Sequence, residues 1–167
     1  MALKSPLAAP PPGDVLVLRA DSAEAMQAFG RLLGSLLRAG DVVGLVGPLG
    51  AGKTTLAQGI ARGLEVPEDR HVASPTFALV NEHPGRVTLC HADFYRLRDA
   101  KELRELGLDE SIDRGATVIE WLDLFPSAAP ADHLQIVIAL AEPNEQRLIT
   151  VTANGPRSSA LIRALAS

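Results

Sequence analysis

GPLGAGKT, at residues 47–54, fits the spacing Gly-x-x-x-x-Gly-Lys-Thr and stands between an apolar run at 41–46 and a helix-like run at 55–64. Glycines at positions 47, 50 and 52 let successive backbone N–H groups curl around an anion, and a helix starting there adds the positive end of its dipole. In such a loop Lys53 reaches the terminal phosphates of a nucleoside triphosphate, and Thr54 carries a hydroxyl where Mg²⁺ is held. Gly47, Leu49, Gly50, Ala51, Gly52, Lys53, Thr54 and Thr55 are therefore the candidate nucleotide contacts. The local order is strand, phosphate loop, helix.

Working outward, residues 42–46 are apolar on both faces, as in the centre of a sheet covered from both sides. Leu56, Ile60 and Leu64 give the following helix one apolar face, with Pro67 shortly past its end. Upstream, residues 15–18 read as an edge strand. Asp21, with Glu24 three places on, reads as a capping box opening a helix whose stripe is Met26, Phe29, Leu33 and Leu36, with Gly40 as its stop. Downstream, residues 77–82 and 86–91 read as an antiparallel hairpin turning at His83-Pro84-Gly85. Residues 99–106 read as a helix and TVIEW, 117–121, as a buried strand. Residues 133–140 alternate Leu134, Ile136, Ile138 and Leu140, and pair with 147–153 across Glu142-Pro143-Asn144-Glu145. A short helix at 158–165 closes the chain. Two hairpins and few crossover helices predict an α/β fold with a mixed central sheet, parallel strands plus antiparallel hairpins, flanked by helices.

The chain has 167 residues, 47% hydrophobic and 22% charged, the balance of one globular domain over 14–167. Four of its twelve prolines fall in residues 1–13, which read as a disordered leader with no secretory signal. No apolar run reaches the ~20 residues a membrane span needs. The single cysteine, Cys90, sits in a strand-like run, which excludes an internal disulfide and suits a reducing cytosol. The net charge of −4, with no basic block, argues against an independent grip on nucleic acid.

A triphosphatase also needs a carboxylate near the metal and a group that positions the attacking water. Glu120 ends the apolar run 117–119 and would emerge at the carboxyl end of a central strand, beside the phosphate loop. Asp93, in HADFYRL, is the candidate to orient water or hold the metal through a bridging water. Its alternative reading is a loop aspartate or helix cap, and His91 reads more readily as structural than catalytic. Ser74-Pro75-Thr76-Phe77 lies where such enzymes carry a loop that senses the terminal phosphate, and is otherwise a turn into a strand. No Cys/His spacing suggests zinc.

GPLGAGKTTLAQGIARGL, VASPTFALVNEH, HADFYRL, ELGLDESI and VIEW, in this order, closely resemble the small bacterial ATPases of the TsaE (YjeE) family, over about residues 15–155. The resemblance implies a P-loop NTPase-like three-layer fold that binds ATP with Mg²⁺, releases ADP, and hydrolyses ATP slowly alone. It implies work with the TsaD and TsaB proteins, which form threonylcarbamoyladenosine next to the tRNA anticodon, so that tRNA is met mainly through them. By matching positions Lys53 and Thr54 take the phosphate and Mg²⁺ roles and Glu120 that of the Mg²⁺-side carboxylate. Asp93 is needed for function, Trp121 lies near the nucleotide, and Asp21 and Ser22 neighbour the base. Two departures stand out: Pro48 follows Gly47 where the family has an acidic residue, and Leu122-Asp123 follows the Glu-Trp where the family has Pro or Ser and then Glu.

A small-molecule kinase shares the phosphate loop, and Arg96, Arg98 and Arg104 could form its phosphate lid. The second hairpin uses length that a kinase spends on its acceptor site. A nucleotide-gated binding module with negligible turnover is a third class.

Overall fold

The computed structural model describes residues 14–75, 79–143 and 146–167. Its strands are β1 (Val15–Ala20), β2 (Val42–Val46), β3 (Val80–His83), β4 (Leu89–Asp93), β5 (Ala116–Glu120), β6 (Leu134–Ala141) and β7 (Gln146–Ala153), forming one sheet in the order β1-β7-β6-β2-β5-β4-β3. The centre, β6-β2-β5-β4, is parallel. The β1-β7, β7-β6 and β4-β3 pairs are antiparallel, so the sheet is mixed as the two hairpins predict.

Helices α1 (Ala23–Leu36), α2 (Lys53–Gly63) and α5 (Pro156–Ala166) cover one face, burying Leu33, Leu56, Ile60 and Leu161 against Val43, Leu45, Val118 and Ile136. The other face carries α3 (Ala100–Glu105), α4 (Leu108–Arg114) and two 3₁₀ turns, whose Leu108 and Leu122 pack with Phe94 on Val42, Ala92 and Ile119. Val42 and Val43 therefore point to opposite cores, which is why β2 is apolar at every position.

Helices α1 and α2 meet backbone to backbone. A Cβ on Gly34 would lie 2.2 Å from the Ile60 carbonyl, one on Gly59 2.5 Å from that of Gln27, and one on Gly63 2.2 Å from that of Arg31. Only hydrogen fits along this seam.

Several local expectations change. The cap of α1 is Ser22, whose hydroxyl accepts the Ala25 N–H at 3.0 Å, and not Asp21. The helix ends at Leu36, and Gly40, at φ 95°, belongs to the turn into β2. Helix α2 starts at Lys53, so the lysine and both threonines form its first turn. Of the first hairpin, residues 77 and 78 lie outside the described residues. Its strands register His83 against Leu89, giving a five-residue connection at 84–88 rather than a turn at 83–85. Arg86 leaves the strand because its guanidinium bonds the carbonyls of Gly34, Ser35 and Leu37. Helix α4 has no counterpart among the expected elements, and Trp121 leaves β5 in the left-handed region, at φ 61°. Of the second turn, residues 144 and 145 lie outside the described residues, as do residues 1–13 of the expected leader.

Candidate active site

The loop between β2 and α2 wraps a turn closed by the Ala51 N–H on the Pro48 carbonyl at 3.0 Å. Gly50 and Gly52 hold φ of 80° and 109°, a conformation that side chains resist. Lys53 is 5% exposed. Its ammonium donates to the carbonyls of Gly47 at 2.7 Å and Pro48 at 2.9 Å, and lies 4.1 Å from the centre of the Trp121 ring. Burial holds the Lys53 amine below its ordinary range, while the carboxylates of Glu120, Asp93 and Asp123 pull the other way. Pro48 thus loses an N–H but contributes its carbonyl twice.

A cleft of about 430 Å³ opens over this loop, lined by Leu49, Gly50, Gly52, Lys53, Thr54 and Thr55, and across from them by Ser74, Asp93, Glu120 and Trp121. Parallel pairing of β4 with β5 sets Asp93 directly opposite Glu120 at their carboxyl ends. Glu120 is 2% exposed; one oxygen accepts the Thr54 hydroxyl at 2.9 Å and the other lies 2.5 Å from His91 Nε2. Asp93 accepts the Ser74 hydroxyl on one oxygen and the Tyr95 N–H at 2.9 Å on the other. Tyr95 lies against Trp121, ring centres 4.8 Å apart. Two of the three non-glycine residues with positive φ among the described residues, Leu79 and Trp121, line this cleft, each holding a backbone form that costs roughly 1 kcal/mol or more.

A hydroxyl and a carboxylate in contact, beside a lysine and at the N-terminus of a helix, are the hard oxygen donors that suit Mg²⁺ when it arrives with substrate phosphates. No cluster of three metal-binding side chains is present among the described residues, and Mg²⁺ bound through phosphates needs none.

An adjoining groove of about 270 Å³ brings Asp21, Ser22 and Ala51 together with Gly50, Gly52, Thr55 and Arg147. The candidates thus fall into two joined hollows, with Gly47 beneath them as an acceptor for Lys53. Sequence reasoning missed Arg147, which reaches from β7 to the carbonyls of Ala51 at 2.9 Å and Gly50 at 3.3 Å. It also gave Tyr95 no role and did not foresee the His91–Glu120 contact; neighbouring places in HADFYRL were the only signal. Of the three arginines weighed as a kinase lid, Arg96 lines the cleft, Arg98 pairs with Glu102 at 2.7 Å, and Arg104 lines a separate hollow beside Leu108 and Ser127. Leu122 fills the space Gly44 leaves open, where a Cβ would stand 2.2 Å from its Cδ2. No helix among the described residues is long and apolar enough to cross a membrane.

Residues 20–149 match the family described as threonylcarbamoyl adenosine biosynthesis protein TsaE. The tRNA threonylcarbamoyladenosine biosynthesis protein TsaE of Bacillus subtilis is 42% identical over 144 residues, 85% of this chain and 88% of that protein. Its counterpart in Streptomyces coelicolor is 41% identical over 139 residues, 79% and 93% of the two chains. The crystal structure of Bacillus subtilis YdiB superposes with a TM-score of 0.79 at 35% identity, over 92% of this chain and 95% of that one. With the match spanning loop, carboxylates and sheet alike, the chain belongs to the TsaE family of tRNA threonylcarbamoyladenosine biosynthesis proteins.

Proposed function

We propose that this protein binds ATP with Mg²⁺ in the cleft over the phosphate loop and hydrolyses it to ADP in support of the threonylcarbamoyl transferase that modifies tRNA next to the anticodon. The observation that carries the reading is the Thr54–Glu120 contact, 2.9 Å long, made where the helix bearing Lys53 meets the end of β5. A glycine-rich turn with no ligand has no use for a buried carboxylate there.

Thr54 and Glu120 would hold the metal, which when bound polarises the terminal phosphate and offsets its developing charge. Lys53 supplies the fixed cation for the terminal phosphates, its amine already stripped of most water. Asp93, level with Glu120 across the strand pair, is the acceptor that orients the attacking water. Tyr95 and Trp121 wall the same side and keep other water out. The groove at Asp21 and Ser22 takes the base. Ser74 on Asp93 ties the loop after α2 to the same carboxylate, so this loop would report the presence of the terminal phosphate to a partner. TsaD and TsaB are the proposed partners, in the cytoplasm.

The test is ATP hydrolysis with Mg²⁺ by the purified chain, alone and with the TsaD and TsaB proteins of the same organism. Turnover that rises on adding them supports the reading. Unchanged turnover, with no complex formed in ATP, removes the partnered role and turns attention to kinase acceptors.

A further inference from the structure

His91 sits beneath the cleft and is not among the residues that line it. It occupies the middle of β4, fully buried, on the strand face that also bears Asp93. On the adjacent β5 the residue opposite it is Val118, and Glu120 follows two places on along the same face. His91 Nε2 approaches one oxygen of Glu120 at 2.5 Å, while the other oxygen accepts Thr54 at 2.9 Å. The carboxylate is thereby taken from two directions, by the phosphate-loop helix and by the interior of the sheet.

A glutamate has three rotatable side-chain bonds, and one facing a ligand is held in a single orientation only when something ties its far oxygen. Imidazole is suited to that: it is rigid, and its Nε2 is presented to the carboxylate while Nδ1 faces the core. His91 Nδ1 is buried with no hydrogen-bond partner among the described residues. A ring with one nitrogen unmatched in an apolar core costs stability that a leucine there would not. The Glu120 contact is what offsets that cost.

We propose that His91 is a positioning residue that fixes the Glu120 carboxylate from behind, keeping its second oxygen toward Thr54 and the metal of the bound nucleotide. This rests on the Mg²⁺-ATP reading of the cleft. His91→Leu keeps the volume and removes the N–H; His91→Gln returns an N–H the same number of bonds from Cα. Trp121, the single tryptophan and a wall of the cleft, reports ATP binding by fluorescence, with and without Mg²⁺. The Leu variant is expected to need about 10- to 100-fold more Mg²⁺ for half-maximal enhancement of ATP binding, with Mg²⁺-free affinity unchanged. The Gln variant recovers most of the loss, and in a Glu120→Gln background His91→Leu adds nothing, because it acts through that carboxylate.

Wild-type Mg²⁺ dependence in His91→Leu overturns the proposal, as does a full additional loss on top of Glu120→Gln. Should the Leu variant fail to fold, His91→Asn, polar but too short to reach Glu120, replaces it: a raised Mg²⁺ requirement supports the proposal and a wild-type one overturns it. Absence of Mg²⁺-dependent ATP binding in the wild type would instead remove the reading of the cleft, and the proposal with it.

Discussion

The two ends of the parallel strands treat charge in opposite ways. At the amino ends of β2 and β6, Asp41 accepts two N–H groups of Arg157 at 2.9 Å each and the Arg38 N–H at 2.8 Å. Asp132 accepts the Ser158 hydroxyl at 2.7 Å and the Arg157 N–H at 2.8 Å, and Ser158 in turn accepts the N–H groups of Asn154 and Gly155 at 3.0 Å. Burial pushes the Asp132 carboxyl up, but the Ser158 hydroxyl and the N–H groups of Arg157 and Ser158 win and hold it below its usual range. These contacts clasp α5 to the sheet. At the carboxyl ends Lys53, Asp93 and Glu120 are gathered around a hollow, and Lys53 rests on backbone carbonyls. Charge at one end is closed on itself and serves folding; at the other it lines a hollow, as the proposed nucleotide site requires. Substitutions at the two ends should therefore separate function from stability.

The largest effect is expected at Lys53. Lys53→Ala should weaken ATP binding by about 100-fold or more, the scale of a lost charge-assisted contact, measured by calorimetry. Because burial disfavours the charged amine of Lys53, its removal should leave the Tm unchanged or raised. Undiminished ATP affinity would break the contrast outright. Next, Glu120→Gln should keep nucleotide binding at saturating Mg²⁺, with a raised Mg²⁺ requirement, and lose about 10- to 100-fold or more of Mg²⁺-dependent turnover, read in a steady-state phosphate-release assay. Normal hydrolysis would show that the carboxylate is structural, like Asp41.

At the other end Asp41→Ala should cost about 2 kcal/mol in urea unfolding, below the range for a fully buried pair because Arg157 is one-third exposed to solvent. Its ATP affinity should match wild type; a parallel loss of binding would show that the two ends are coupled.

The smallest effect sharpens the contrast by pH. Burial, with the neighbouring Arg70 cation, holds the His83 imidazole below its ordinary range, so the folded state takes up its proton less readily than the unfolded chain. Its contribution is present above the unfolded value near 6.5 and is lost as pH falls through the lowered one. His83→Gln should flatten the decline of Tm between pH 7.5 and 5, leaving nucleotide affinity as it was. An equally steep decline would assign the pH dependence to other groups.

What could be read beforehand follows how local the determinant is. The glycine-rich loop before α2 was legible because its glycines, lysine and threonine are contiguous, and β2 and β5 because a strand between two cores is mostly apolar, β5 departing only at Thr117 and the terminal Glu120. Asp21 and Ser22 are both good caps, and only the backbone shows which one turns its side chain to Ala25. Helix α4 escaped because LDESIDR carries just Leu108 and Ile112 at helical spacing, with Gly107 in the left-handed region before it. Arg147 stands 96 residues from the loop carbonyl it holds, and His91 meets Glu120 only because β4 and β5 are neighbours. Such meetings are products of strand order, which no spacing encodes.

The seam between α1 and α2 has a bearing on how the protein can change over generations. Gly34, Gly59 and Gly63 leave no room for a side chain: a methyl on any of them strikes a carbonyl of the facing helix. No single replacement can be absorbed by a neighbouring side chain giving way, since what it meets is main chain. The helix that bears Lys53 and Thr54 is thus locked at a set height against the helix whose first turn borders the adjoining groove. Side chains lining the groove can be exchanged, while the spacing of the two helices beside it is set by main chain.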